Sequence, residues 1–168
     1  GRVVCLGTFS KIFCPGLRLG WVCADSEALN KYILIKQGAD LQASTISQMQ
    51  VAKYLNDYDF DAHIEKLKKV YRKRRDLMIG TMKEEFPEGV TFTNPEGGLF
   101  TWVVLPEHIN ARVLAEKALA NNVAFVPGGS FFPNGGNENT FRLNYSNMDE
   151  ERIVIGIKRL AKVIKEMM

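Results

Sequence analysis

Cysteine is scarce in this chain: three in 168 residues, Cys5, Cys14 and Cys23, an odd number without a C-x-x-C pair. That spacing argues against a disulfide framework and against a thiolate zinc site, and it suits a reducing, cytoplasmic setting. Histidine is scarcer still. His63 and His108 stand far apart with no neighbouring ligand residues, so neither a metal site nor a Ser-His relay is indicated, and both read as surface histidines. No apolar run approaches the ~20 residues of a membrane span, and Gly1-Arg2-Val3 does not open like a signal peptide. Charge of one sign is lacking too: 22 basic against 19 acidic residues leave a net +3, too little to imply a nucleic-acid or membrane partner. The Gly-rich stretch 127–139 lacks G-x-x-x-x-G-K and so is not a phosphate loop.

What is present is concentrated in one turn. Thr8-Phe-Ser-Lys11-Ile-Phe-Cys-Pro-Gly-Leu-Arg18 lies between the apolar runs Val3-Val4-Cys5-Leu6 and Leu19-Gly20-Trp21-Val22. The pattern over 2–23 predicts strand, polar turn, strand, with an amine and an anion-binding cluster at one end. A lysine beside neutral hydroxyls and a guanidinium is placed to lose its proton and attack a carbonyl, giving a Schiff base. Thr8, Ser10 and Arg18 can together hold a dianionic phosphate close to that amine. The combination suits pyridoxal 5'-phosphate, whose aldehyde needs the lysine and whose phosphate needs the other three. Singly, each has a plain reading: Lys11 a solvated lysine, Arg18 a strand-edge charge, Ser10 a hydroxyl serving its own turn. Their spacing argues for them as a group.

Further along, Asp25-Ser26 caps a predicted helix over 27–37, and a second helix runs from Ser44 or Thr45 to about Leu55. A long third helix, 60–86, carries Ile64, Leu67, Tyr71, Leu77, Met78 and Met82 on one side and stops at Pro87-Glu88-Gly89. Its basic run 66–75 is flanked by Glu65, Asp76, Glu84 and Glu85, so it reads as a solvated outer face rather than a nucleic-acid surface. From residue 90 short strands predominate: 90–93 and 99–105 around Asn94-Pro95-Glu96-Gly97-Gly98, then 123–126 and 140–145. An Ala-rich helix is predicted over 110–121. A last helix opens at Asn147 with Glu150 three later, and repeats Ile153, Ile157, Leu160, Ala161 and Ile164. Such alternation predicts an α+β module preceded by a helical connector.

The lysine turn resembles the Schiff-base segment of fold-type I aminotransferases (class I/II), where Ser-x-Ser-Lys is followed by Pro-Gly-Leu-Arg. Gly97-Gly98-Leu99-Phe100 is similar to that family's Gly-Gly-Met-Phe strand, and Asn122-Val-Ala-Phe-Val-Pro-Gly128 to the short strand and turn after it. Phe141-Arg142-Leu143-Asn144-Tyr145-Ser146 resembles the strand whose arginine grips the substrate's α-carboxylate. Lys36-Gln37-Gly38-Ala39-Asp40 is shared with the branch handling 2-aminoadipate and kynurenine. Four motifs in the family's order run through the whole chain.

The resemblance implies the C-terminal part of such an enzyme, because the family's lysine lies behind a large N-terminal portion that supplies the acid facing the pyridinium nitrogen. It implies 1–43 as a remnant of the large cofactor-binding domain, 44–89 as a helical connector and 90–168 as the small C-terminal domain of the PLP-transferase-like fold. By its light Lys11 is the catalytic residue and, with Thr8, Ser10 and Arg18, holds the cofactor; Arg142 and Gly98 meet the substrate; no metal is needed. Arg142 falls mid-strand between Phe141 and Leu143, which alternation places on the opposite face. The implied reaction moves an amino group between an amino acid and a 2-oxo acid in a cytoplasmic homodimer, this segment being inactive alone. A lyase or decarboxylase, or the cofactor-binding sensor domain of a transcription regulator, would carry the same motifs.

Overall fold

The structure is a computed structural model that describes residues 3–168; Arg2, at the start of the first expected strand, lies outside them. The chain is α+β and divides within one long helix into two compact units, the first ending at Leu67 and the second running Lys68–Met168.

In the first unit β1 (Cys5–Thr8) and β2 (Gly20–Cys23) pair antiparallel, Thr8 opposite Gly20 and Gly7 opposite Trp21. A Cβ on Gly7 would sit 2.1 Å from the Trp21 indole, so glycine is what lets that ring lie across the ladder. The helices α1 (Ser26–Ala39) and α2 (Thr45–Asp57) follow. Asp25 Oδ1 accepts the amides of Glu27 and Ala28, both at 3.1 Å, and Ser44 caps α2 by accepting from Ser47. These side chains satisfy amides that have no partner inside the helix. Apolar residues here are poorly covered: Leu6, Trp21, Ile33, Leu34, Ile35, Leu41, Ile46 and Met49 are all exposed, whereas Leu19 and Val51 are buried.

The helix α3 (Phe60–Glu85) buries only its last third, through Met78, Ile79, Thr81 and Met82. Pro87 ends it, since proline disfavours helical geometry in the residue before it. In the second unit β3 (Thr91–Phe92), β4 (Phe100–Val104), β5 (Val126–Pro127) and β6 (Thr140–Asn144) form an antiparallel sheet ordered β3-β4-β6-β5. Register places Thr101 opposite Leu143 and Val103 opposite Phe141, all four buried. The helices α4 (Ala111–Ala120) and α5 (Glu150–Lys165) complete it. Leu114 and Ala118 of α4 and Ile153, Ile157, Leu160 and Ile164 of α5 join the three α3 side chains Met78, Ile79 and Met82 in one core. The α5 spacing of i, i+4, i+7 and i+11 is the stripe that a core-facing helix requires. Each fully buried Leu or Ile contributes roughly 1.5–3 kcal/mol.

Two expectations need correction. The strand foreseen over 123–126 starts only at Val126. Asn122 turns left-handed (φ 59), and the amide of Val123 is used to cap α4, donating to Ala118 O at 2.9 Å. A helix end that spends the next amides on its own carbonyls cannot also offer them to a sheet. Nor does Asn147 open α5: the cap is Asp149, whose Oδ1 accepts the Arg152 amide at 2.8 Å. A carboxylate there also meets the positive end of the helix dipole.

Candidate functional site

The turn between β1 and β2 is tightly bonded within itself. Phe9 O accepts the amides of Phe13 and Cys14 at 2.9 and 3.0 Å, and the Phe9 amide donates to Leu19 O at 3.1 Å. Thr8 Oγ1 accepts the Ser10 amide at 3.1 Å while its own proton points to Leu19 O at 3.4 Å. A short 3-10 turn, Pro15–Leu17, leads to Arg18, which is left-handed (φ 55) and donates from Nη1 to Pro15 O at 3.0 Å. The outcome is a compact knuckle that carries Thr8, Ser10, Lys11 and Arg18 together, with Thr8, Lys11 and Arg18 solvent-exposed and Ser10 half-buried. No acid occurs before Asp25, so the knuckle's charge is one-signed, from Lys11 and Arg18.

His63, expected at the surface, is instead half-buried and anchors this knuckle: its Nε2 lies 3.0 Å from Ile12 O, next door to Lys11. A carbonyl only accepts, so Nε2 carries the proton. Phe13 packs on Tyr54 with ring centroids 4.4 Å apart, and Phe60 lies against His63. Sequence reading missed this support because the contact joins residues 51 apart in the chain.

Arg142 lies on the sheet face opposite the core, directly across from Trp102 on β4 and Val126 on β5. Its guanidinium carbon stands 3.9 Å from the Phe100 ring centroid and 4.6 Å from that of Phe131. Its Nε is buried with no hydrogen-bond acceptor among the described residues. An arginine with donors unspent and no acid beside it among the described residues could receive an anion, and its fork would suit a carboxylate taken at two points. Arg142 lines a cleft of about 850 Å³ together with Phe100, Asn122, Phe125 and Met148. Gly98 lies elsewhere, in a cleft of about 380 Å³ with Tyr71, Arg72, Arg75 and Tyr145. Gly98 and Arg142 are therefore not brought together in one cleft.

The basic run of α3 is less solvated than its composition suggests. Arg74 Nη1 donates to Ser146 O at 2.7 Å, and Arg75 Nη1 reaches Pro95 O at 3.2 Å and Glu96 O at 3.3 Å. Those two arginines hold loops of the second unit. Among the described residues no group of three or more His, Cys, Asp or Glu could hold a metal, and no helix is long and apolar enough to cross a membrane.

The chain belongs to the family aminotransferase class I and II, which it matches over residues 1–160. It is 47% identical over all 168 residues to aromatic-amino-acid aminotransferase 1 of Thermococcus litoralis, covering 40% of that protein. It superposes with TM-score 0.95 at 44% identity on LysN, an α-aminoadipate aminotransferase of Thermus thermophilus complexed with N-(5'-phosphopyridoxyl)-L-leucine; 98% of this chain and 42% of that one are covered. A more distant relative, at 29% identity over 167 residues, is the uncharacterized HTH-type transcriptional regulator YdfD of Bacillus subtilis, of which 34% is covered. The chain thus spans about two fifths of the length of the aminotransferases it matches.

The knuckle's donor set fits pyridoxal 5'-phosphate. The Ser10 hydroxyl and a guanidinium match a phosphate dianion, Thr8 could join them by turning its proton away from Leu19 O, and a primary amine matches an aldehyde. Arg18 makes one side-chain hydrogen bond among the described residues, to Pro15 O, so most of its five donors remain for a ligand. No carboxylate on this knuckle can face a pyridinium nitrogen.

Proposed function

We propose that the protein carrying this chain transfers an amino group between an amino acid and a 2-oxo acid, using pyridoxal 5'-phosphate. The observation that carries the reading is Arg142, whose buried Nε lacks an acceptor and whose guanidinium has no acidic partner among the described residues. When bound, the cofactor supplies an aldehyde and a ring that draws electrons from the substrate's α-carbon. Thr8, Ser10 and Arg18 hold its phosphate. Lys11 Nζ is the amine that would hold the aldehyde end of the cofactor, and as a free amine it would take a proton from the substrate's α-carbon. Arg142 receives the α-carboxylate in its fork and so orients the bond to be broken. Gly98, left-handed at φ 80 in the turn that leads into β4, is assigned to the substrate side by the family likeness alone, since it lines a cleft apart from Arg142.

In this reading residues 1–43 belong to the cofactor-binding domain, 44–89 connect, and 90–168 form the substrate-side domain. The whole protein is a cytoplasmic homodimer, which free thiols at Cys5, Cys14 and Cys23 and the exposed apolar residues of the first unit support. The likeness to YdfD supports a second reading, a cofactor-binding domain within a transcription regulator. Formation of glutamate from 2-oxoglutarate by the full-length protein separates the two.

The reading is tested in the full-length protein. Lys11→Ala should abolish transamination and the borohydride-stable attachment of cofactor to this segment; attachment that persists assigns the amine elsewhere. Arg142→Ala should leave cofactor binding intact and weaken carboxylate substrates by ~1.5–3 kcal/mol, the range for a charge-assisted bond. Unchanged substrate affinity would remove Arg142 from the site.

A further inference from the structure

Arg142 has to keep its charge and its direction without spending its donors. An acidic neighbour would stabilise the charge but would occupy the fork that a substrate carboxylate needs. The two phenyl rings solve this differently. An aromatic face attracts a cation electrostatically and accepts no N–H bond of the ordinary kind, so the in-plane donors stay available. The buried Nε, without an acceptor, carries a desolvation cost that a side-on carboxylate would relieve.

One of the two rings is mounted with particular care. Phe131 closes a 3-10 turn, Gly128–Phe131, that is pressed onto the sheet. A Cβ on Gly128 would lie 2.0 Å from Thr140 Oγ1 and 2.8 Å from Trp102 Cζ2, so the backbone approaches as only glycine allows. Trp102 meets Phe131 edge-on with ring centroids 5.6 Å apart, and it is the direct cross-strand neighbour of Arg142. Nearly half of the Phe131 surface (45%) remains exposed, so burial of that ring does not explain its placement.

We propose that Phe131 is a positioning residue for the carboxylate-binding arginine: seated by the Gly128–Phe131 turn and braced by Trp102, its ring holds the Arg142 guanidinium by its π face and leaves the hydrogen-bonding edge free for substrate. Phe100 is the second ring of the same device. The proposal rests on the carboxylate role of Arg142, and its test separates the two.

The test uses the full-length protein loaded with pyridoxal 5'-phosphate and compares Phe131→Leu, which keeps apolar bulk, with Phe131→Tyr, which keeps the ring. Calorimetric titration with a simple alkanoate such as 4-methylpentanoate reads the carboxylate site alone. Phe131→Leu should weaken the alkanoate about two- to thirtyfold, the span of a cation–π contact from exposed to desolvated. KM for amino acids should rise in parallel with kcat changed by less than about twofold, while Phe131→Tyr should stay within about twofold of the parent on both. Reaction of the corresponding amine without a carboxylate should be untouched by either change. The proposal is overturned if Phe131→Leu binds the alkanoate like the parent, or if it harms the carboxylate-free amine equally. If Phe131→Leu lowers the Tm so far that binding cannot be read, Phe100→Leu against Phe100→Tyr makes the same comparison: weaker alkanoate binding by the Leu variant alone supports the device, and parental binding by both overturns it. Should Arg142→Ala itself leave alkanoate affinity unchanged, the underlying reading fails, whatever Phe131 does.

Discussion

Single side chains in this chain often do two things, and Tyr145 shows how that can be measured. It is buried, its hydroxyl donates to Gly97 O at 3.2 Å, and it helps line the cleft beside Gly98. Burial pushes its pKa above the ordinary 10.0, with the Arg75 charge acting the other way. The folded chain therefore holds this proton more tightly than the unfolded chain does. Its contribution is complete below about pH 10 and is lost as pH climbs toward the raised folded value. Urea unfolding followed from about pH 9 to about pH 11.5 should show a steeper alkaline fall for the parent than for Tyr145→Phe. Tyr145→Phe should also cost ~0.5–1.5 kcal/mol near neutrality for the lost bond. Identical alkaline slopes would assign the effect to other groups. Arg142 and Arg75 make the same point about charge: sequence marks both as cations, and only their neighbours separate an open fork from one occupied by Pro95 O, Glu96 O and Asp76.

Elements were legible where local signals decide them. Capping side chains mark α1 and α2 from sequence, and periodic apolar residues mark α3 and α5, because a helix closes its bonds within itself and carries its own stripe. Strand β5 was not, since the amide of Val123 is claimed by the end of α4, a contest that alternation of side chains does not reveal. The start of α5 is a similar case. Asp149 accepts the Arg152 amide at 2.8 Å, and Asn147, the residue the capping pattern favoured, does not cap the helix. Replacing Asp149 by Ala should cost ~1 kcal/mol of stability in denaturant unfolding. Asn147→Ala, away from any such role, should stay within ~0.5 kcal/mol. Equal costs for the two would return the cap to Asn147.

The two units differ in how well each covers its own apolar residues. In the second, core side chains from α3, α4, α5 and the sheet are almost wholly buried, Phe141, Leu114, Leu160 and Ile164 among them. In the first, Leu6 at 73% exposure, Ile35 at 68% and Leu41 at 75% face solvent, and β1 and β2 form a sheet of two strands whose outer edges pair with no other strand among the described residues. Exposed apolar patches and open strand edges are the usual routes to association. The 168-residue chain on its own should therefore self-associate, with apparent mass rising with concentration in light scattering. A monodisperse monomer at every concentration would show that these surfaces are better solvated than their chemistry suggests. Leu6→Lys with Ile35→Lys should reduce the association if the first unit drives it.

The sequence alone settled the family, the lysine turn with its hydroxyls and arginine, and the order of helices and strands. Each of those depends on residues close together in the chain, where spacing and sterics act directly. What tertiary structure decided lies across distance. His63 reaches Ile12 O from 51 positions away, Arg74 crosses 72 positions to Ser146 O, and Phe131 arrives on Arg142 from a turn without periodicity. A histidine, an arginine and a phenylalanine have the same intrinsic chemistry wherever they stand. Which acceptor, ring or open cleft they meet is set by the packing of elements that local patterns specify only one at a time.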